Sequence, residues 1–148
     1  MKSAYYVAAV TNAYRKALNK TAPIEHILEE LDSVSHRPYA TGFYVNSIKD
    51  SCFNDGAYVS TKKFIAVVKE TCDDGRIIVE QRNRFEPGDE LEVLSPFSDG
   101  KVLKVETIEQ DGLPVSKADL PMGIYKINCP FRLRNGDILR KNILQINK

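Results

Sequence analysis

The spacing of apolar residues changes once along this chain of 148 residues, between residues 34 and 43. Before that segment, apolar residues recur every three to four positions, as on one face of an α-helix. After it, short runs of alternating apolar and polar residues are separated by turn residues, which is typical of antiparallel strands. Because strands and helices do not alternate, a parallel α/β fold is excluded. We therefore expect a mainly β fold, a small antiparallel β-barrel preceded by one or two N-terminal α-helices.

Two helices are predicted before the change of period. Ser3 has the side chain of an N-cap, and the helix behind it would carry its apolar residues on one face. Thr21 is predicted to cap a second, shorter helix with Pro23 in its first turn, where a missing amide hydrogen costs nothing. Two short helices cannot bury their own apolar faces, so we expect them to contact the barrel, a missing domain or a second copy of the chain. The residues expected at that contact, which would also serve a homodimer, are Tyr6, Val7, Val10 and Tyr14.

Strands are predicted throughout the rest of the chain. The seven candidates are residues 42–45, 63–71, 77–82, 90–94, 101–109, 123–127 and 137–143. Two of the turns have the same residue pattern, because Gly88-Asp89 and Gly136-Asp137 each lie directly before a predicted strand. The Gly permits a sharp turn there, and the Asp can accept a hydrogen bond from the backbone. Short strands at this spacing favour a closed or nearly closed barrel, since closure removes exposed edges.

The composition fits a globular protein. Hydrophobic residues make up 43% of the chain and charged residues 28%, which argues against disorder. No apolar run approaches the roughly 20 residues that a helix needs to cross a bilayer, so no membrane segment is predicted. The N-terminal residues do not resemble a secretory signal, and we expect a cytoplasmic location. Cys52, Cys72 and Cys129 have neither disulfide-framework nor zinc-site spacing, so no cofactor or metal is predicted.

No complete catalytic constellation is present in the sequence, and no catalytic residue is predicted. Ser35 and His36 are adjacent. Neighbouring side chains of an extended segment point in opposite directions, so these two cannot act as nucleophile and base. We expect them to hydrogen-bond the turn between helix and barrel. The acidic pairs Asp73-Asp74 and Asp89-Glu90 lie at predicted turns, where solvated carboxylates are common.

Charge is unevenly distributed along the chain. Residues 70–112 contain twelve acidic and five basic side chains, whereas residues 113–148 contain two acidic and seven basic ones. A basic face that binds RNA is one interpretation, with guanidinium groups on phosphates and aromatic rings on unpaired bases. The other is that strands from the two segments interleave, so that the charges mix on the surface. The candidate residues for RNA or another partner are Arg82, Arg84, Tyr125, Lys126, Phe131, Arg132, Arg134, Arg140 and Lys141.

Several separated motifs occur in one order along nearly the whole chain. They are Met1-Lys2-Ser3-Ala4-Tyr5-Tyr6-Val7-Ala8, Ala13-Tyr14-Arg15, Ser35-His36-Arg37, Tyr39, Thr41-Gly42-Phe43, Arg84-Phe85-Glu86-Pro87-Gly88-Asp89 and Leu94-Ser95-Pro96. Together they resemble the C-terminal region of peptidase family U32, also called collagenase-like proteases. The Gly-Asp turns are also similar to those in the second-domain barrel of translation elongation factors, which is an analogy of fold alone.

The family resemblance implies a small β-barrel that follows a larger catalytic domain. Residues 1–38 would then be a helical lead-in from that missing domain, and residues 39–148 the barrel. Family members were first described as proteases, and others resemble hydroxylation enzymes of transfer or ribosomal RNA, with an iron-sulfur cluster held by cysteines of the catalytic domain. The three cysteines here do not match that cluster-binding set.

The expected function is a non-catalytic accessory barrel of a U32-type enzyme, either a peptidase (a hydrolase) or an RNA-modifying hydroxylase. The barrel would help to hold an RNA or protein substrate, or dock against the missing catalytic domain. The alternative is a module for protein-protein interaction or self-association that uses the exposed N-terminal helix.

Overall fold

The computed structural model describes residues 3–39, 58–96 and 100–143, which form two compact units. The first unit extends to Thr61 and the second begins at Lys62. This division falls later in the chain than the expected one after residue 38. The reason is that the segment before Lys62 is bonded to the helical unit: His36 and Val59 exchange backbone hydrogen bonds, and the amide of Thr61 donates to the carbonyl of Asp32. The strand predicted at residues 42–45 lies outside the described residues.

The first unit contains two helices, α1 (Ala4–Asn19) and α2 (Ile24–Asp32). The predicted cap of α1 is confirmed, since Ser3 Oγ accepts a hydrogen bond from the amide of Tyr6 at 3.2 Å. The predicted cap of α2 is wrong. Pro23 occupies the N-cap position and makes no side-chain cap, while Thr21 Oγ1 donates back to the carbonyl of Lys16 at 3.5 Å. Neither helix is long and apolar enough to span a membrane.

The second unit is an antiparallel sheet of eight strands that curls into a half-barrel. The strands are β1 (Lys62–Thr71), β2 (Arg76–Gln81), β3 (Glu90–Leu94), β4 (Val102–Lys104), β5 (Ile108–Gln110), β6 (Leu113–Pro114), β7 (Ile124–Asn128) and β8 (Ile138–Asn142). Their order in the sheet is β4-β3-β8-β1-β2-β7-β5-β6. The mainly β fold class with two N-terminal helices is therefore confirmed.

The core of the second unit lies on the concave side of the sheet. Buried and more exposed residues alternate along β2 and β7, and in β2 Ile77 and Val79 are completely buried between more exposed neighbours. The largest buried core side chains besides these are Ile65, Phe85, Leu91, Leu103, Ile108, Tyr125, Ile127 and Leu139.

One predicted strand is divided in the structure. Instead of a single strand over residues 101–109, β4 pairs with β3 and β5 pairs with β7, with a corner at residues 105–107 between them. Asn128 of β7 holds this corner. Its Oδ1 accepts hydrogen bonds from the amides of Glu106 (2.8 Å) and Thr107 (3.2 Å), and its Nδ2 donates to the carbonyl of Lys104 (3.0 Å). The corner connects β4, at one edge of the sheet, to β5, which lies next to the strand at the other edge. This connection accompanies the curling of the sheet into a half-barrel.

The two Gly-Asp turns have the predicted geometry. Gly88 and Gly136 have φ values of 97° and 91°, a left-handed conformation that favours glycine. Asp89 Oδ2 accepts from the amide of Glu86 at 3.1 Å, and Asp137 Oδ2 accepts from the amide of Arg134 at 2.8 Å. Each carboxylate thus closes its turn just before β3 or β8 begins.

Candidate nucleic-acid interface

Two of the residues predicted for an RNA surface are buried, so that part of the prediction is corrected. Tyr125 is 1% exposed, because it occupies an inward position of β7, and its hydroxyl oxygen accepts a hydrogen bond from the amide of Leu120 at 3.1 Å. Arg140 of β8 is 0% exposed and donates from Nη2 to Glu92 Oε1 at 2.5 Å. Neither side chain can contact RNA directly in this structure.

Arg140 belongs to a three-residue ion cluster across β1, β8 and β3. Glu92 Oε1 accepts from Arg140, and Glu92 Oε2 accepts from Lys62 Nζ at 2.7 Å. Burial alone would raise the pKa of Glu92, but the hydrogen bonds from Lys62 and Arg140 outweigh it, and the pKa lies below its usual value. This cluster therefore stabilises the sheet rather than presenting charge to a partner.

Four further predicted cations are paired with carboxylates of neighbouring strands or turns. The pairs are Arg82 with Glu80, Arg84 with Glu86 at 3.0 Å, Lys126 with Asp74 at 2.9 Å, and Lys141 with Asp89 at 2.5 Å. Two of these pairs, Lys126 with Asp74 and Lys141 with Asp89, join the basic and acidic stretches of the sequence, whereas the other two lie within the acidic stretch. Their charges are largely neutralised at these four positions.

The Lys126 pair is part of a larger network on the convex side of β2, β5 and β7. Asp74 accepts hydrogen bonds from Arg76 Nε (2.9 Å) and from Lys126 Nζ, and these bonds hold its pKa well below the usual range. Arg76 Nη1 also contacts both carboxylate oxygens of Glu109 at 2.7 Å. A phosphate would have to displace one of these carboxylates to reach Arg76 or Lys126.

The remaining predicted residues, Phe131, Arg132 and Arg134, lie together at the end of the sheet where β1 turns into β2. The amide of Cys129 donates to the carbonyl of Gly75, and Thr71 Oγ1 exchanges hydrogen bonds with the backbone of Leu133. These bonds hold the segment that carries the three residues beside the β1–β2 turn. Arg132 lies 3.5 Å from Asp73, and both side chains are almost fully exposed, so water screens this pair strongly.

Sequence reasoning missed two cations at this end, Lys101 and Lys104. They were overlooked because they fall in the acidic stretch, although a Lys directly after the turn at residues 98–100 was a usable signal. Lys101 Nζ lies 5.1 Å from the centre of the Phe131 ring, within the range of a cation–π interaction. Neither lysine forms an ion pair with a carboxylate within the described ranges. We call the group of Lys101, Lys104, Phe131, Arg132 and Arg134 the Phe131 rim.

A cleft of about 350 Å³ opens beside the Phe131 rim. It is lined by Val102, Leu103 and Lys104 of β4, by Asn128, Cys129 and Pro130 at the end of β7, and by Gly75 and Glu106. The Cys129 thiol donates to the carbonyl of Phe131 at 3.0 Å, and burial raises its pKa. The walls of the cleft combine apolar side chains with the polar ones of Lys104, Glu106 and Asn128.

Ser35 and His36, which were not expected to act as nucleophile and base, differ in their surroundings. His36 is buried, with Nδ1 2.6 Å from the carbonyl oxygen of Arg37 and Nε2 3.2 Å from Asp32 Oδ1, and its ring stacks on Tyr39. Ser35, by contrast, is exposed. In the part of the chain that the structure describes, His, Cys, Asp and Glu form no group suited to a metal ion.

The predicted interface residues of α1 differ in how far they are exposed to solvent. Val7 and Tyr14 are 55% and 60% exposed, whereas Tyr6 and Val10 are half-buried. The buried face of α1 consists of Tyr5, Ala9 and Ala13, and Tyr5 donates from its hydroxyl to the carbonyl of Ser33 at 3.1 Å. The other exposed large apolar side chains of the two helices are Leu18, Ile24 and Leu28.

Two curated relatives match most of this chain. The tRNA hydroxylation protein P1 of Bacillus subtilis (strain 168) is 31% identical over 152 residues, covering 95% of this chain and 36% of that protein. The tRNA hydroxylation protein P of Escherichia coli (strain K12) is 28% identical and covers 80% of this chain and 28% of that protein. The chain thus spans little more than a third of these curated relatives at most.

A solved structure matches the second unit. The C-terminal domain of a proposed U32 peptidase from Geobacillus thermoleovorans is 30% identical with a TM-score of 0.51, covering 53% of this chain and 99% of that domain. The model of the peptidase family U32 C-terminal domain matches residues 60–140, and the model of peptidase family U32 matches residues 1–52. The chain therefore belongs to peptidase family U32, and its eight-stranded unit is the C-terminal domain of that family.

Proposed function

We propose that this chain is a non-catalytic module that binds RNA for a U32 protein through the Phe131 rim. The observation that carries the proposal is that Lys101 lies over a half-buried aromatic ring, which Arg132 and Arg134 follow in the chain, near a cleft that Lys104 lines. The names of the curated relatives, which are tRNA hydroxylation proteins, favour transfer RNA as the substrate class.

The electrostatics distinguish this end of the sheet from the rest of it. At the other predicted positions, a carboxylate within hydrogen-bonding distance competes with phosphate for each cation. At the rim, Lys101 and Lys104 have no such partner among the described residues, and the contact of Arg132 with Asp73 is long and exposed. Cations in this state can neutralise phosphates and release counterions without first breaking an internal ion pair.

The chemistry of the parent protein, whether hydrolysis or hydroxylation, is then carried out elsewhere in a U32 protein. The module would raise the local concentration of RNA near that site. Sequence-independent affinity of this kind is typically in the range of about 10⁻⁴ to 10⁻⁶ M at physiological salt.

The test is fluorescence anisotropy with labelled transfer RNA over a series of salt concentrations. Lys101→Glu and Arg132→Glu should each weaken binding and reduce the salt slope by about one. Lys63→Glu is the matched control, because Lys63 is an exposed lysine about 25 Å away along β1. The proposal is disproved if the wild type does not bind transfer RNA at low salt, or if all three variants lose the same affinity for it.

The exposed apolar side chains of α1 and α2 favour a second role, docking onto the rest of a U32 protein. We propose the rest of a U32 protein as the docking partner for two reasons. Residues 1–52 match a family model other than that of the C-terminal domain, and the relatives are much longer than this chain. Light scattering tests it with Tyr14→Glu. An unchanged monomer mass supports docking, whereas a dimer that Tyr14→Glu dissociates assigns this face to self-association.

A further inference from the structure

We infer that the cleft between β4 and the end of β7 receives the base of one unpaired nucleotide, with the Phe131 ring as a stacking surface beside it. The inference rests on the proposed RNA binding and names the kind of RNA segment that the Phe131 rim takes. It follows from the backbone of β4, from the size of the cleft and from the ring.

β4 is one of the two edge strands of the sheet, and its three residues line the cleft. The carbonyl of Lys101 faces β3, where it accepts from the amide of Val93 at 2.8 Å. Because backbone groups alternate in direction along a strand, the amide and carbonyl of Val102 face away from β3. The Lys104 carbonyl confirms this alternation, since it accepts from Asn128 rather than from β3. Val102 therefore offers one donor and one acceptor at the cleft.

This arrangement suits a base better than a peptide. A peptide that extends a sheet needs several consecutive free backbone groups on the edge strand. Here Asn128 already occupies the Lys104 carbonyl, so this three-residue strand keeps only the amide and carbonyl of Val102 and the amide of Lys104 for such pairing, which is too few to hold an extended peptide. The adjacent donor and acceptor of Val102 match the hydrogen-bonding edge of a single base, and a cleft of about 350 Å³ is at the small end of the range for ligand sites.

The Phe131 ring supplies the stacking surface. Phe131 is half-buried and packs against the core, which fixes the ring. Its free side is covered by Lys101, whose flexible side chain makes only a weak contact at an exposed site. Stacking of a base on an aromatic ring is the stronger interaction, so a base can displace Lys101. Lys101 precedes β4 and Lys104 ends it, so the two residues lie about 10 Å apart, and because three positions separate them their side chains lie on opposite faces of the strand. One phosphate on each face could therefore be contacted.

The experiment compares a single-stranded hexaadenylate with a duplex RNA of equal length, measured by anisotropy and by the amide resonance of Val102. The wild type should bind the single strand more tightly and show a shift of the Val102 resonance. Phe131→Leu keeps the apolar contact with the core but removes the ring, so it should weaken single-strand binding about 5- to 100-fold while leaving the salt slope unchanged. Val102→Pro removes only the outward amide and should also weaken it.

The outcomes separate this inference from the proposed function. Equal binding of single strand and duplex, with no effect of Phe131→Leu, would overturn the inference and leave RNA binding at the Phe131 rim intact. If neither the oligonucleotides nor transfer RNA bind at low salt, both fail. A Val102 resonance that shifts with an extended hexapeptide but not with hexaadenylate would assign the edge of β4 to a protein.

Discussion

Replacing Glu92 with Gln should strongly destabilise the sheet unit. The change keeps the shape of the side chain but removes the charge that accepts hydrogen bonds from Arg140 and Lys62 at 2.5 and 2.7 Å. Arg140 is 0% exposed, so its charge would remain buried without the carboxylate. Removing one partner from a buried ion pair costs about 3 to 5 kcal/mol. Because the side chains of Glu92 and Lys62 are each 19% exposed and reach water, we expect the lower end, about 3 kcal/mol.

The assay is hydrogen exchange of the β3 and β8 amides in the full chain, which reports the free energy of unfolding of this unit. Glu90→Gln is the matched control on the same strand, since Glu90 is exposed and should change stability by less than about 0.5 kcal/mol. A loss below about 1 kcal/mol for Glu92→Gln at neutral pH would refute the reasoning.

The pH dependence gives a second check on the same residue. The pKa of Glu92 in the folded protein is below its unfolded value, so its contribution is complete above the unfolded pKa of about 4.3 and is lost as the pH falls through the folded pKa. The difference in stability between wild type and Glu92→Gln should therefore shrink on acidification below about pH 4. A difference that grows in acid would contradict the assigned sign.

Two further predictions concern single residues of the sheet unit. Met122 has a φ of 59° in the turn that begins at Leu120. Met122→Gly should therefore stabilise the protein by about 0.5 kcal/mol, and Met122→Val, which introduces a β-branched side chain, should destabilise it by about 1 kcal/mol. Urea unfolding measures both changes. A loss of stability in the Gly variant would contradict this. Asn128→Ala removes the three hydrogen bonds that hold the corner and should cost about 1 to 2 kcal/mol, whereas Asn128→Asp keeps the two acceptor contacts and should cost less. Equal losses would show that the side-chain oxygen does not hold the corner.

The turns were the most predictable part of the fold. Gly88-Asp89 and Gly136-Asp137 combine a residue that tolerates positive φ with a carboxylate that bonds the local backbone, so the turn depends only on adjacent residues. The division of the 101–109 segment was not predicted, because the corner depends on Asn128, which is more than 20 residues away. A signal was present in the sequence, since the inward apolar positions run from Leu103 to Val105 and then slip to Ile108.

The candidate site was less predictable than the fold. Arg140 was expected at the surface because arginine usually is, but its burial is made possible by Glu92 on a strand nearly 50 residues earlier. Lys101 was missed because charge was counted along the sequence, whereas the sheet brings it to Phe131. Charge partners in a sheet are set by strand neighbours, which one sequence does not reveal.

The position of β8 has a consequence for biosynthesis. This strand comes after the other seven in chain order, yet it lies between β3 and β1, so it joins the β3–β4 hairpin to the remaining strands. While a ribosome is still producing the chain, the earlier strands have a gap that nothing else in the described sequence fills. Until residues 138–142 have left the ribosome, β1 and β3 each have one edge without a strand partner. A chaperone that covers these two edges would act during this interval.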